Sequence, residues 1–102
     1  AEKRCEKVKM NDKRLQKIFM NYGMDAQLEK AIEELDELKT EIGMYLGSKL
    51  NKKELTEEIA DVFNMILQIV WALDAEDEVR ECMDFKIKRT LAEIEAEKGI
   101  RK

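Results

Sequence analysis

Glu34 and Glu37 in EELDEL, and Glu58 and Asp61 in EEIADV, repeat one pattern of two acids three positions apart. Residues at that spacing are neighbours on one face of an α-helix, so each motif offers a carboxylate pair. The second pair stands at the head of the stretch Ile59 to Leu73, whose only polar side chains are Asp61, Asn64 and Gln68. Carboxylates in apolar surroundings are costly unless they are paired, hydrogen-bonded or bound to a cation. Four of them in one place repel, and a counter-charge must hold them. Oxygen ligands in a chain without histidine suit Mg²⁺, or Mn²⁺ in its place. Mg²⁺ in particular is held by a few carboxylates, waters and substrate phosphates. The chemistry to expect is a cation platform for a polyphosphate.

Other acids on the same segments, Glu33, Asp36, Glu41, Glu54 and Glu57, read as a solvated face or as salt-bridge partners, with Glu33 near enough to support the ligands. Lys86 and Arg89 fall beside an apolar stripe further along the chain, where they either snorkel and pair with helical acids or bind phosphate oxygens. Lys30 is a weaker candidate for the phosphate role. Trp71, Tyr22, Phe19 and Met65 read as core or interface side chains rather than as a base-stacking surface.

These groups require helices to position them. The chain has 102 residues, no proline, four glycines and 41% charged against 44% apolar residues, a balance that favours helix and supplies enough core for one all-α domain. A chain of this length buries roughly two thirds of its surface on folding. Residues 1–10 read as an N-terminal extension, frayed or helical. Asn11 caps a short first helix through Tyr22, with Leu15, Ile18 and Phe19 inward and Gly23 as the stop. Asp25 caps a second, with Leu28, Ala31, Ile32, Leu35, Leu38 and Ile42 inward, ending between Gly43 and Gly47. After the turn GSKLN, Asn51 with Glu54 opens a third helix that runs to about Leu73. Asp74 caps a fourth, with Val79, Met83, Ile87, Leu91 and Ile94 inward and its end near Gly99. The expected architecture is a bundle of about four helices in one domain, residues 1–102.

On helical wheels Glu34 and Glu37 fall roughly 100° and 160° from the stripe of Leu28, Leu35 and Ile42, and Glu58 and Asp61 repeat those angles beside Ile59, Ile66 and Val70. Antiparallel packing across the short turn brings the two ledges together. The third helix is apolar on more sides than its own chain can cover, which predicts a homo-oligomer, most simply a two-fold dimer.

The net charge of −4 argues against a nucleic-acid partner, and no stretch reads as a signal peptide or a membrane span. Cys5 and Cys82 are too far apart in sequence for a metal-ligand pair and read as reduced thiols. A cytoplasmic protein without membrane attachment is expected. Without histidine, imidazole acid–base catalysis and Glu-x-x-His di-iron sites are excluded.

The ordered pair of motifs, Glu34-Leu-Asp-Glu37, twenty residues, then Glu58-Ile-Ala-Asp61, with doubled acids at 33–34 and 57–58, resembles the E-x-x-E, spacer, E-x-x-D signature of the MazG-like all-α nucleoside triphosphate pyrophosphohydrolases. The likeness runs from Asp25 to Glu97 and has the form of a small one-domain member, without the second copy of longer relatives. It implies that Glu34, Glu37, Glu58 and Asp61 hold Mg²⁺, that one of them orients the attacking water, and that a nucleoside triphosphate is cut between its α and β phosphates to a monophosphate and pyrophosphate. It also implies dimers or tetramers with sites at subunit interfaces. On chemical grounds Lys86 and Arg89 would complement the β and γ phosphates of such a substrate, since Arg can bind two oxygens at once. Phosphoribosyl-ATP pyrophosphohydrolases and dimeric all-α dUTPases share the acid pattern and stay open as alternatives. A non-catalytic helical dimerisation module, with the acids paired to Lys and Arg across an interface, is the alternative of a different class.

Overall fold

A computed structural model describes residues 5–47 and 51–100, and within them the chain forms four helices and no strand. They are α1 (Lys13–Tyr22), α2 (Met24–Leu46), α3 (Lys52–Ala72) and α4 (Glu76–Ile100). Residues 5–10 are not helical, and residues 48–50 of the expected GSKLN turn lie outside the described residues. No helix among the described residues is long and apolar enough to cross a membrane.

The helix ends follow local chemistry, with three differences from expectation. α1 is capped by Asp12, one residue after Asn11: its carboxylate accepts from the Arg14 amide at 2.9 Å and from the Arg14 guanidinium at 2.7 and 3.0 Å. Those bonds to Arg14, side chain first and then backbone, bring the Asp12 pKa down to about 2. A charged cap with two sets of donors prevails over the neutral one beside it. Asp25 lies inside the first turn of α2, because Gly23 serves both as the stop of α1 and as the cap of α2. Its φ of 88° and ψ of 169° belong to a region open essentially to glycine alone. Gly23→Ala should therefore destabilise the chain by about 1–3 kcal/mol in urea unfolding even though a Cβ there meets nothing, and an unchanged midpoint would contradict that strained geometry. Asp74 does not cap α4 but ends α3: with φ at 51°, it donates its amide to the Trp71 carbonyl while Ala75 donates to Val70, both at 3.0 Å. Asp can do either job, since its short polar side chain tolerates the left-handed region. Asn51 caps α3 as expected, accepting from the Glu54 amide at 3.1 Å.

α2 and α3 form the main pair, antiparallel and in register: Gln27 meets Gln68, Glu34 meets Asp61, and Glu37 meets Glu58. α1 lies across both and seals one end through Leu15 and Phe19, the latter edge-on to Trp71 at 5.8 Å. Met65 is in the core with Val62, Val70 and Ala31, whereas Tyr22 is exposed.

The faces turned inward differ from those the apolar periodicity favours. α2 buries Gln27, Ala31 and Glu34, while Leu28, Ile32, Leu35 and Ile42 face out. α3 buries Val62, Met65, Gln68 and Val70, but Ile59, Phe63 and Ile66 are exposed. Each outward apolar set is one residue, about 100°, beyond the shared face, and in an antiparallel pair that turn leads to the same side. Ile18 is likewise exposed. Among the described residues α4 meets only α3, and from Arg80 to Gly99 it is exposed throughout, so Met83, Ile87, Leu91 and Ile94 are not inward within this chain. The radius of gyration of 17.6 Å, against about 13 Å for a compact chain of this size, reflects that projecting arm.

Candidate metal centre

Glu34, Glu37, Glu58 and Asp61 converge as their register requires, with one oxygen from each within 4.8 Å of the others. Glu34 is on the buried face itself rather than beside it, only 6% exposed; Glu58 is half-buried, and Glu37 and Asp61 open to solvent. Glu34 Oε2 and Glu58 Oε2 are shut away from water and accept no hydrogen bond. An orphaned carboxylate oxygen inside a helix interface is expensive, and two of them at one point fit a site built for a cation. The only cation within ion-pairing distance of the four, among the described residues, is Lys30, whose Nζ stands 3.1 Å from Glu34 Oε1 and 3.5 Å from Glu33 Oε2. One ammonium does not balance four acids. Beyond them a shallow cleft of about 240 Å³ is lined by Asp36, Glu37, Thr40, Glu41 and Glu58.

The electrostatics follow from the crowding. Desolvation, then the adjoining Glu37 carboxyl, push Glu58 up to about 7. Asp61 is raised by desolvation and then by the charge of Glu34, with Lys30 pulling the other way. In the metal-free chain Glu58 thus holds a proton that an unfolded chain releases near pH 4.5. Below that pH both states are protonated. As pH rises toward 7 only the unfolded state ionises, so folding weakens, and the loss is complete above the folded value. The metal-free melting temperature should fall between about pH 5 and about pH 8, and a Glu58→Gln variant should fall less steeply. A melting temperature that climbs across this window would refute the crowded-acid geometry.

Of the cations read as phosphate ligands, Lys30 belongs to this site and already bonds Glu34. Lys86 and Arg89 do not join it within one chain: both are exposed, on the part of α4 that projects from the pair. Sequence reading missed Gln27 and Gln68, 6% and 3% exposed, whose side chains bond at 2.8 Å across the α2–α3 interface. Their signal was the shared spacing, since Gln27 precedes Glu34 by seven residues and Gln68 follows Asp61 by seven. Compared with protein-family models, with curated proteins and with solved structures, the chain matches none.

Proposed function

We propose that this chain is a divalent-cation-dependent nucleoside triphosphate pyrophosphohydrolase, which cleaves an NTP or dNTP between the α and β phosphates. One observation carries the reading: two helices bring four carboxylates to a single point and leave two buried oxygens there without partners. Glu34 and Glu58 would hold the cation from the buried side, and Glu37 and Asp61 from the open side. A bound Mg²⁺ or Mn²⁺ supplies the positive charge that activates water and offsets charge on the departing pyrophosphate.

Glu37 and Asp61, being open to solvent, are the acids able to take the proton of an attacking water. The water oxygen bonds to the α phosphorus, the bond to the oxygen bridging toward the β phosphorus breaks, and that electron pair leaves with pyrophosphate. Lys30 pairs with Glu34, which holds the lysine's own charge in place, and offers a donor at the rim. Lys86 and Arg89 would serve the β and γ phosphates from the arm of a second copy, in a homodimer or homotetramer that covers the outward apolar residues of α2, α3 and α4.

A panel of nucleoside triphosphates assayed for pyrophosphate tests the reading, with dUTP and phosphoribosyl-ATP included to separate its relatives in chemistry. At least one should yield monophosphate and pyrophosphate with Mg²⁺ and none after chelation. No release from any of them would end the proposal. Mg²⁺ should also raise the melting temperature, by an amount that grows with its concentration as for any ligand of the folded state, whereas plain ion pairs weaken as salt is added.

A further inference from the structure

A cleft of about 480 Å³ lies beside the acid cluster, where α1 crosses α2 and α3, lined by Ile18, Tyr22, Gln27, Lys30, Met65 and Gln68. Its size is that of a small-molecule site, as is its makeup of apolar walls with a few convergent polar groups. Lys30 belongs to both places, lining the cleft and bonding Glu34. Gln27 stands seven residues before Glu34 on α2, about 10.5 Å along the axis, a separation a nucleoside and its first phosphate can bridge.

The two buried amides are oriented by their bonds. The main-chain carbonyl of Asn64 can only accept, so Gln68 must turn its Nε2 toward it, at 3.1 Å. That leaves Gln68 Oε1 to accept from Gln27 Nε2 at 2.8 Å. Gln27 is therefore fixed with one of its two Nε2 hydrogens used and its Oε1 free: this oxygen accepts no hydrogen bond among the described residues, on a residue more than nine-tenths buried that lines the cleft. An acceptor held this way at the wall of the cleft favours a ligand that brings an N–H donor over one that does not.

We propose that this cleft holds the base of the nucleotide, with Gln27 Oε1 accepting a hydrogen bond from a base N–H and the Asn64–Gln68–Gln27 relay setting the polarity of that bond. The inference rests on the pyrophosphohydrolase reading for the identity of the ligand. Ile18, Tyr22 and Met65 supply the apolar surface against which a planar ring packs. Gln27 and Gln68 are then specificity-determining groups, separate from the acids.

The test reads binding in the metal-free protein, apart from turnover. Cytidine, uridine and adenosine are titrated into ¹⁵N-labelled protein, each beside an analogue in which every base N–H is replaced by N-methyl. At least one nucleoside should shift the side-chain NH₂ signals of Gln27 and Gln68, and its methylated form should bind about ten- to a hundredfold more weakly. Signals that ignore all three nucleosides, or methylation without effect, overturn the inference. If triphosphates are hydrolysed while those signals stay still, the inference falls and the proposed function stands. Nucleoside-dependent shifts in a protein that releases no pyrophosphate support base recognition and defeat the hydrolase reading instead.

Discussion

Glu58→Gln should abolish pyrophosphate release, by about a thousandfold or more, while the helices stay folded and the metal-free protein melts at a higher temperature than the parent. The two effects have one cause. In the metal-free chain Glu58 is desolvated and faces Glu37, Asp61 and Glu34, so its charge opposes folding above pH 7. A neutral amide of the same shape removes that repulsion. With a cation required, the same exchange takes away a ligand oxygen that nothing else in the interface replaces, since Glu58 Oε2 has no protein partner. Circular dichroism, thermal melting at about pH 8 and a pyrophosphate assay on the same preparation check both halves. Normal turnover by a folded variant would remove Glu58 from the mechanism, and a lower metal-free melting temperature would mean that its carboxylate supports the fold instead of straining it.

If the chain forms the proposed homo-oligomer, Ile87→Glu with Leu91→Glu should convert it to monomers. Both side chains are more than half exposed on the arm, in line with Met83 and Ile94. Burying one such side chain stabilises by about 1.5–3 kcal/mol, and a two-fold interface buries each twice, so the pair carries on the order of 6–12 kcal/mol at most. Even a third of that, about 2–4 kcal/mol, weakens association by roughly thirty- to seven-hundredfold. Sedimentation equilibrium of parent and variant decides the matter, with circular dichroism to show that helix content persists. Activity lost in step with dissociation is expected if Lys86 and Arg89 act on a neighbouring copy's site. A parent chain that is monomeric at all concentrations would sink the assembly, and full activity in the monomeric variant would take those two cations out of the reaction.

Much of this was legible in the residues. Helix number and the ends at Gly23, Gly47 and Asn51 follow from stop and cap chemistry that acts locally. So does the meeting of the four acids, because the same three-residue spacing recurs at antiparallel positions. The inward faces were not legible. Periodicity ranks the sides of a helix by apolarity, and the richest side of α2, with Leu28, Ile32, Leu35 and Ile42, is outward, while the face carrying Gln27 and Glu34 is inside. An apolar stripe does not record whether its own chain covers it, and Leu28, Ile32, Leu35 and Ile42 are left exposed. The cap at Asp12 in place of Asn11 and the placement of Asp25 and Asp74 were not legible for a different reason, since aspartate serves as cap, first-turn residue, left-handed turn residue or salt-bridge partner, and only the surrounding backbone decides which.

The paired amides of Gln27 and Gln68 act as an alignment pin for the hairpin. Were α3 to slide one turn along α2, about 5.4 Å, in the direction that sets Gln27 against Ala72 and Gln68 against Ala31, each glutamine would face a hydrocarbon neighbour with its polar atoms stranded. The same slide would draw Glu34 from Asp61 and Glu37 from Glu58. Correct seating of the helices and assembly of the carboxylates are therefore one event, and a slipped hairpin loses both at once.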